Sequence, residues 1–222
     1  IFANKCWPAF EKFFGFVPCF VNSRLATQGI PVSCEVDIYG ALSEYMGCCA
    51  SLLPTTLLDI NNTVPTDMVD ANNAAASYKP SDLFMGFHCG NTPSSCMANH
   101  TMQHQLIMHR LLEPDQEPDI TRGTLEGRIR QGDITIFRLQ STADAKLRAY
   151  VADGKVLDMD PQSFGGIGVI AVHELGRFYR HVLIEKRFPH HTAVAFARSG
   201  KTLFDAFKMM GVGEVSFNLP NS

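Results

Sequence analysis

The chain has 222 residues, a formal net charge of −3 at pH 7 and 45% hydrophobic residues. These values are typical of a globular protein with a substantial core, and no basic stripe indicates a nucleic-acid partner. No apolar run reaches the roughly 18 residues that a membrane-spanning helix needs. Charged residues interrupt the first apolar stretch, so no signal peptide is indicated. We therefore expect a cytoplasmic protein that binds neither nucleic acid nor membrane.

The first 52 residues are predicted to be the end of an α/β, Rossmann-like domain. An amphipathic aromatic helix is predicted to end near Gly15. The apolar run 17–21 is predicted to form a short buried strand. Residues 37–49 are predicted to form a second helix. The aromatic face of the first helix needs a surface to pack against, and the chain enters that helix almost at once. We therefore expect the chain to be a C-terminal fragment of a longer protein.

From residue 53 onward the pattern favours a different domain. Strands are predicted at 55–60 and 82–87, separated by a long polar loop of a kind that is often functional. After Pro118, glycines separate short β-prone runs, which is typical of an antiparallel sheet or barrel. These runs are 124–129, 134–140, 147–151, 155–159, 167–172, 180–185, 193–196 and 215–217, with a helix at 200–210. The predicted fold is therefore α+β: a short α/β edge segment (1–52) followed by a mostly antiparallel, β-barrel-like domain with helices (53–222).

Two carboxylates stand where strands or loops give way to other elements. Glu35 precedes the second predicted helix, and Asp59 interrupts the apolar run 57–60. An ionised, unpaired carboxylate in such a run costs several kcal/mol, so Asp59 requires a partner. A metal ion, an arginine or a helix cap would each satisfy it. Asp37 is the alternative to Glu35, although its position also suits a helix N-cap.

Histidines form a second set of candidates. His190 and His191 precede the predicted strand 193–196. Adjacent residues of a strand point to opposite faces, so at most one of the two is expected in a given site. His88 ends the apolar strand at 82–87. For each histidine taken alone, a hydrogen-bonded structural role is the alternative.

The seven cysteines are expected to be thiols rather than disulfides, because the chain is long and lacks a secretory signal. Cys89, Cys96, His100 and His104 together suggest zinc, but they lack the short Cys-x2–4-Cys spacing of common structural sites. No Gly-rich phosphate loop and no G-x-S-x-G elbow is present. The carboxylates and histidines therefore remain as the chemical candidates.

Four segments together resemble the C-terminal region of the L-fucose isomerase-like proteins, a superfamily that also contains the L-arabinose isomerases. They are Pro31–Glu44 (PVSCEVDIYGALSE), Leu58–Asn62 (LDINN), Phe87–Asn91 (FHCGN) and His190–Phe196 (HHTAVAF). The resemblance runs from the first helix to the last strand and covers nearly the whole chain. Each motif alone is weak, but the two acidic motifs and the later histidine are specific together.

The resemblance implies a metal-dependent aldose–ketose isomerase that acts through a cis-enediolate. Glu35 and Asp59 match the two acidic metal ligands, which also transfer protons, and His191 matches the histidine ligand, with His190 as its alternative. Mn²⁺ or another divalent cation is the implied ion. Arabinose isomerases use a further histidine, for which His88 is a counterpart. Three residues are candidates for contacting the sugar: His88, Asn91 and His190.

Members of this superfamily are longer, with α/β domains before this region. The resemblance therefore implies that N-terminal domains of the same chain complete the pocket, that the protein is a homo-oligomer (a hexamer or a trimer-based assembly), and that the isolated piece is nearly inactive. The segment 34–37 and the pair His190–His191 differ from the best-known fucose isomerases, so the sugar stays open between a pentose and a 6-deoxyhexose. The alternatives are a non-catalytic carbohydrate-binding or assembly domain with the same fold, and a sugar epimerase.

Overall fold

The computed structural model describes residues 1–61 and 63–218, without the side chains of Trp7 and Pro8. Asn62, the last residue of the LDINN segment, lies outside the described residues. The strands are β1 (Phe2–Ala3), β2 (Val32–Ser33), β3 (Thr55–Ile60), β4 (Leu83–His88), β5 (Thr101–Gln103), β6 (Thr124–Arg128), β7 (Gly132–Ser141), β8 (Leu147–Val156), β9 (Gly166–Ala171), β10 (His191–Ala195) and β11 (Glu214–Asn218). The α-helices are α1 (Trp7–Phe14), α2 (Cys19–Thr27), α3 (Ile38–Ser51), α4 (Thr66–Asp70), α5 (Leu106–Leu112), α6 (Leu175–Phe178) and α7 (Gly200–Met209), and a π-helix (Tyr179–Ile184) continues α6.

A nine-stranded, mostly antiparallel sheet forms the centre of the fold. Its strand order is β11-β8-β7-β10-β3-β4-β9-β6-β5, in which β11–β8 and β6–β9 are parallel pairs. The far end of β8 also pairs with β9 over two residue pairs, so the sheet curls towards itself without closing into a true barrel. The predicted α+β class is confirmed, and the barrel-like character is the curl of an open sheet.

Alternate residues of the central strands face two separate cores. The first core includes Leu58, Ile136, Tyr150, Ile170 and Val194. The second includes Phe137, Leu139, Val151, Ala193 and Ala195. Side chains of α6 and the π-helix pack on the first core, and those of α3 and α7 pack on the second. Because these strands are buried on both faces, their sequences are nearly continuous apolar runs.

Residues 17–21 do not form the predicted strand. Pro18 is the N-cap of α2, whose buried residues are Cys19, Asn22, Ser23 and Ala26. They have the 3.6-residue period of a helix, but the buried face is small and partly polar. The pattern of hydrophobic residues therefore did not reveal the helix α2. The end of α1 at Gly15 is as predicted, since Gly15 has a φ of 70° and glycine adopts this conformation without steric cost.

Two predictions in the second half of the chain were also wrong. Residues 147–156 form one strand rather than parts of two, because Gly154 does not mark a turn. A Cβ at Gly154 would lie 2.6 Å from the carbonyl oxygen of Ala171, so glycine at this position allows β9 to approach β8. Residues 180–185 fall largely in the π-helix rather than in the sheet. The domain boundary at residues 52/53 stays a prediction.

None of the helices in residues 1–61 and 63–218 combines the length and the apolarity that crossing a membrane requires. No disulfide joins the seven cysteines, all of which are described.

Candidate metal centre

The ends of three neighbouring central strands, β10, β3 and β4, bring acidic and histidine candidates to one place. His191, the first residue of β10, pairs with Asp59 of β3, and Asp59 pairs in turn with Phe87 of β4. His88 follows as the last residue of β4. Residues that are far apart in the chain therefore meet through strand register alone.

Glu35 reaches the same place from the turn between β2 and α3. Glu35 and Val36 have φ values of 61° and 59°, in the left-handed region that costs a non-glycine residue about 1–3 kcal/mol. The backbone N–H of Val36 donates to the carbonyl oxygen of Asn4 at 2.9 Å, and that of Asp37 donates to Cys34 at 3.1 Å. These bonds hold the strained turn that directs Glu35 towards His191.

His191 lies between the two carboxylates. Its Nε2 atom is 3.3 Å from Oδ1 of Asp59 and 3.7 Å from Oε2 of Glu35. Its side chain is 7% exposed, whereas the side chain of Glu35 is 54% exposed. A buried imidazole nitrogen therefore faces two carboxylates, one of which is accessible from solvent.

The other nitrogen of His191 contacts Asp37. Nδ1 of His191 lies 2.9 Å from Oδ2 of Asp37, and Arg138 donates to both oxygens of the same carboxylate. Asp37 also caps α3, since its Oδ1 accepts the N–H of Gly40 at 2.7 Å. Burial alone would raise the pKa of Asp37, but the hydrogen bond from His191 and the charge of Arg138 hold it well below its ordinary value.

Both adjacent histidines contact Asp59, contrary to the expectation that at most one enters the site. Nε2 of His190 lies 3.4 Å from Oδ1 of Asp59, and the His190 and His191 ring centroids are 4.5 Å apart. The alternation of a strand does not apply here, because β10 begins at His191 and His190 precedes it. The side chain of His190 is 65% exposed, so it covers the site from outside.

His88 completes the cluster on the buried side. It is 2% exposed, and its ring centroid is 5.9 Å from that of His191. Its Nδ1 accepts the backbone N–H of Cys89 at 3.0 Å. Burial alone would lower the pKa of His88, but the contact with Cys89 and the charge of Asp59 raise it above its ordinary value.

Two overlapping groups have the composition of a metal site. Glu35, His88 and His191 form one, and Asp59, His190 and His191 form the other; in each, one donor atom per residue lies within 4.8 Å of the others. Oδ1 of Asp59 is buried and accepts no hydrogen bond from the described residues. Cys89, Cys96, His100 and His104 form no such group among these residues.

Asn91, three residues after His88, is buried with both amide atoms unpaired in the described part of the chain. It is 2% exposed, and neither its Nδ2 nor its Oδ1 has a hydrogen-bond partner in the described part of the chain. The backbone before it approaches β6 closely, because a Cβ at Gly90 would lie 1.7 Å from Oγ1 of Thr124. Each unpaired buried group costs about 1–3 kcal/mol.

Sequence reasoning missed Arg138 entirely, and it treated Asp37 as an alternative to Glu35 or as a helix N-cap without its contact with His191. Arg138 stands inside the buried strand β7, and its side chain is 5% exposed. A charged residue in an apolar strand run was the available signal, because such a residue requires a partner of opposite charge. The partner could not be identified from local sequence.

Comparison with known proteins places the chain in a family. A family model described as "L-fucose isomerase, C-terminal domain" matches residues 86–216. This range includes His88, Asn91, His190 and His191. Sulfoquinovose isomerase of Clostridium sp. (strain MSTE9) is 29% identical over 171 residues, which cover 76% of this chain and 33% of that protein. Sulfoquinovose isomerase of Alkalicoccus urumqiensis is 27% identical over 220 residues, 98% of this chain and 43% of that protein.

A third sulfoquinovose isomerase, from Priestia aryabhattai, is 26% identical over 213 residues, which cover 95% of this chain and 42% of that protein. The chain thus spans less than half the length of these curated relatives. The family model nevertheless covers more than half of the chain itself. The chain therefore belongs to the family of the L-fucose isomerase C-terminal domain.

Proposed function

We propose that this chain carries the metal-binding and proton-transferring residues of an aldose–ketose isomerase. The observation that carries the proposal is the position of His191, whose Nε2 lies 3.3 Å from Asp59 and 3.7 Å from Glu35. Membership of an isomerase family supports the same reaction class.

The donor set fits Mn²⁺ or another hard divalent cation. Carboxylate oxygen and imidazole nitrogen suit such ions. The buried Oδ1 of Asp59 has no hydrogen-bond donor among the described residues, and a bound cation would compensate its charge instead. Glu35, Asp59 and His191 are the proposed ligands. No single group among the described residues contains both carboxylates, but the exposed side chain of Glu35 can rotate towards Asp59 without disturbing the core.

The proton transfer is proposed to use the same carboxylates. Isomerisation moves a proton between C1 and C2 of the sugar, which requires a base to remove it and an acid to return it. Glu35 is accessible from solvent and Asp59 lies at the end of β3, and the proposal assigns them to opposite sides of the bound sugar. When bound, the cation supplies positive charge beside the developing enediolate.

The substrate and the assembly are part of the proposal. A pentose or a 6-deoxyhexose follows from the resemblance to L-fucose and L-arabinose isomerases, and sulfoquinovose is added from the names of the relatives. His88, Asn91 and His190 are proposed to contact the sugar. We expect domains of a longer chain, in a cytoplasmic homo-oligomer of hexameric or trimer-based form, to complete the pocket.

Metal titration and turnover test the proposal separately. We expect the chain to bind Mn²⁺ in calorimetry, and Glu35→Gln, Asp59→Asn and His191→Gln each to weaken that binding, whereas the exposed control Glu117→Gln leaves it unchanged. In the longer protein, NMR of L-fucose, L-arabinose and sulfoquinovose should show isomerisation that Glu35→Gln removes. Full turnover by Glu35→Gln would contradict the proposal, and sugar binding without turnover by the wild type would favour a non-catalytic domain.

A further inference from the structure

We infer that Asp37 and Arg138 are positioning residues that set the tautomer of His191 and select His191, rather than His190, as the histidine ligand. This inference rests on the proposed metal-binding function. It concerns residues outside the proposed ligand set that act through His191.

The hydrogen bonds around Asp37 determine which nitrogen of His191 carries the proton. An ionised carboxylate only accepts hydrogen bonds, so Nδ1 of His191, 2.9 Å from Oδ2 of Asp37, must be the donor. In the neutral ring, Nε2 then keeps its lone pair. That atom is the one that faces Asp59 and Glu35, and a lone pair is what a metal ion requires of an imidazole.

Arg138 keeps the carboxylate charged and in place. Its guanidinium donates to both oxygens of Asp37, and the side chains of Arg138 and Asp37 are 5% and 11% exposed. A guanidinium stays protonated in proteins, and two parallel hydrogen bonds fix the plane of the carboxylate. The N–H of Gly40 adds a third fixed donor at 2.7 Å. The orientation of His191 is therefore imposed by the start of α3 and by β7.

His190 has no comparable support. Its Nε2 lies 3.4 Å from Oδ1 of Asp59, and within residues 1–61 and 63–218 no carboxylate binds its Nδ1. Its side chain is 65% exposed, so ordering it on a metal ion would cost more conformational entropy. Metal-binding histidines generally donate a hydrogen bond from their second ring nitrogen to a carboxylate or carbonyl. Of the two adjacent histidines, His191 has such a hydrogen bond, to Asp37.

Asp37→Asn keeps the cap of α3, because asparagine is as good an N-cap as aspartate. It also removes the charged partner of Arg138, so the free energy of unfolding of this variant is measured beside its metal affinity. Its matched control is Asp119→Asn, since Asp119 also caps a helical turn and pairs with an arginine, Arg122. We expect calorimetry to show Mn²⁺ binding about 10- to 100-fold weaker in Asp37→Asn and unchanged in Asp119→Asn. Replacement of His190 by Gln should change the affinity far less than replacement of His191.

Nitrogen-15 NMR of the metal-free wild-type chain provides a readout that depends neither on a variant nor on the ion. With the signals assigned through His191→Gln, His191 should be protonated at Nδ1. A neutral ring protonated at Nε2 instead of Nδ1 would overturn the inference, as would Mn²⁺ affinity that Asp37→Asn leaves unchanged or that depends on His190 instead of His191. A wild-type chain that binds no Mn²⁺ would refute the proposed metal site, while the tautomer would still decide the role of Asp37.

Discussion

Asp37 is a partly buried and Glu44 a fully buried carboxylate of the same helix, α3, at its beginning and in its middle. Their pKa values move in opposite directions. Asp37 contacts the guanidinium of Arg138 and the imidazole of His191, and its pKa is lowered. Glu44 is 1% exposed and accepts a hydrogen bond from the hydroxyl of Ser33. Burial raises its pKa to about 8 despite that bond.

Two differences favour the ionised form of Asp37: it has a charged partner, and it is less deeply buried than Glu44. A hydroxyl donates one neutral hydrogen bond, which does not offset the loss of hydration, whereas a guanidinium supplies a full charge and two hydrogen bonds. The end of α3 that adjoins the candidate metal centre therefore carries a fixed negative charge. The middle of the helix carries a neutral acid with a structural role.

The largest expected effect follows from removing the partner of Asp37. Arg138→Met leaves a buried carboxylate without its cation, and we expect the free energy of unfolding to fall by about 3–5 kcal/mol. Urea denaturation measures this loss. The matched control is Arg148→Met, which breaks the more exposed pair with Glu214 and should cost at most about 1 kcal/mol. Equal losses in the two variants would show that the charge of Arg138 does not hold Asp37.

The second prediction concerns Glu44 and pH. Because its pKa in the folded protein is about 8 and its ordinary value is 4.5, the native state binds more protons than the unfolded state between these values. The contribution of Glu44 is therefore most favourable below pH 4.5 and is lost as the pH rises towards 8. Glu44→Gln should be more stable than the wild type by about 3 kcal/mol at pH 7 and similar to it at pH 4.

Thermal unfolding over pH 4–8 measures this effect. The control is Glu117→Gln, because Glu117 is exposed and the substitution should not alter the pH dependence of stability. A constant difference between Glu44→Gln and the wild type at all pH values would mean that Glu44 is ionised in the folded protein, like Asp37.

The third prediction extends the comparison to a buried polar group that has no partner. Asn91→Leu removes two unpaired amide atoms, so we expect the free energy of unfolding to rise by about 1–3 kcal/mol. Asn22 is the matched control, since it is equally buried and forms hydrogen bonds with Asn4 and Cys34. Asn22→Leu should be destabilising.

Sugar binding supplies the functional part of that prediction. If Asn91 contacts the sugar as proposed, the stabilised Asn91→Leu variant of the longer protein should bind the sugar more weakly in calorimetry. Unchanged sugar affinity together with increased stability would exclude Asn91 from the substrate pocket.

Local sequence was sufficient for elements with a clear apolar pattern. The strands β3, β4 and β10 and the helix α3 lie within a few residues of their predicted positions, because the strands are short, mostly apolar runs and the apolar residues of α3 have the spacing of a helix. The helix α2 was missed because Asn22 and Ser23 occupy its buried face. Gly154 led to the prediction of a turn, but the glycine at this position allows β9 to pack close to β8.

Sequence by itself determined the chemical types at the candidate centre: two acidic residues at the ends of elements, a late histidine pair, and a resemblance that joined them. The tertiary structure decided how they are arranged. Strand register places His191 opposite Asp59, and the start of α3 supplies Asp37 to the other side of the ring. These contacts join residues more than a hundred positions apart, and no local preference of the chain encodes them. Their geometry exists only once the sheet and α3 have packed together.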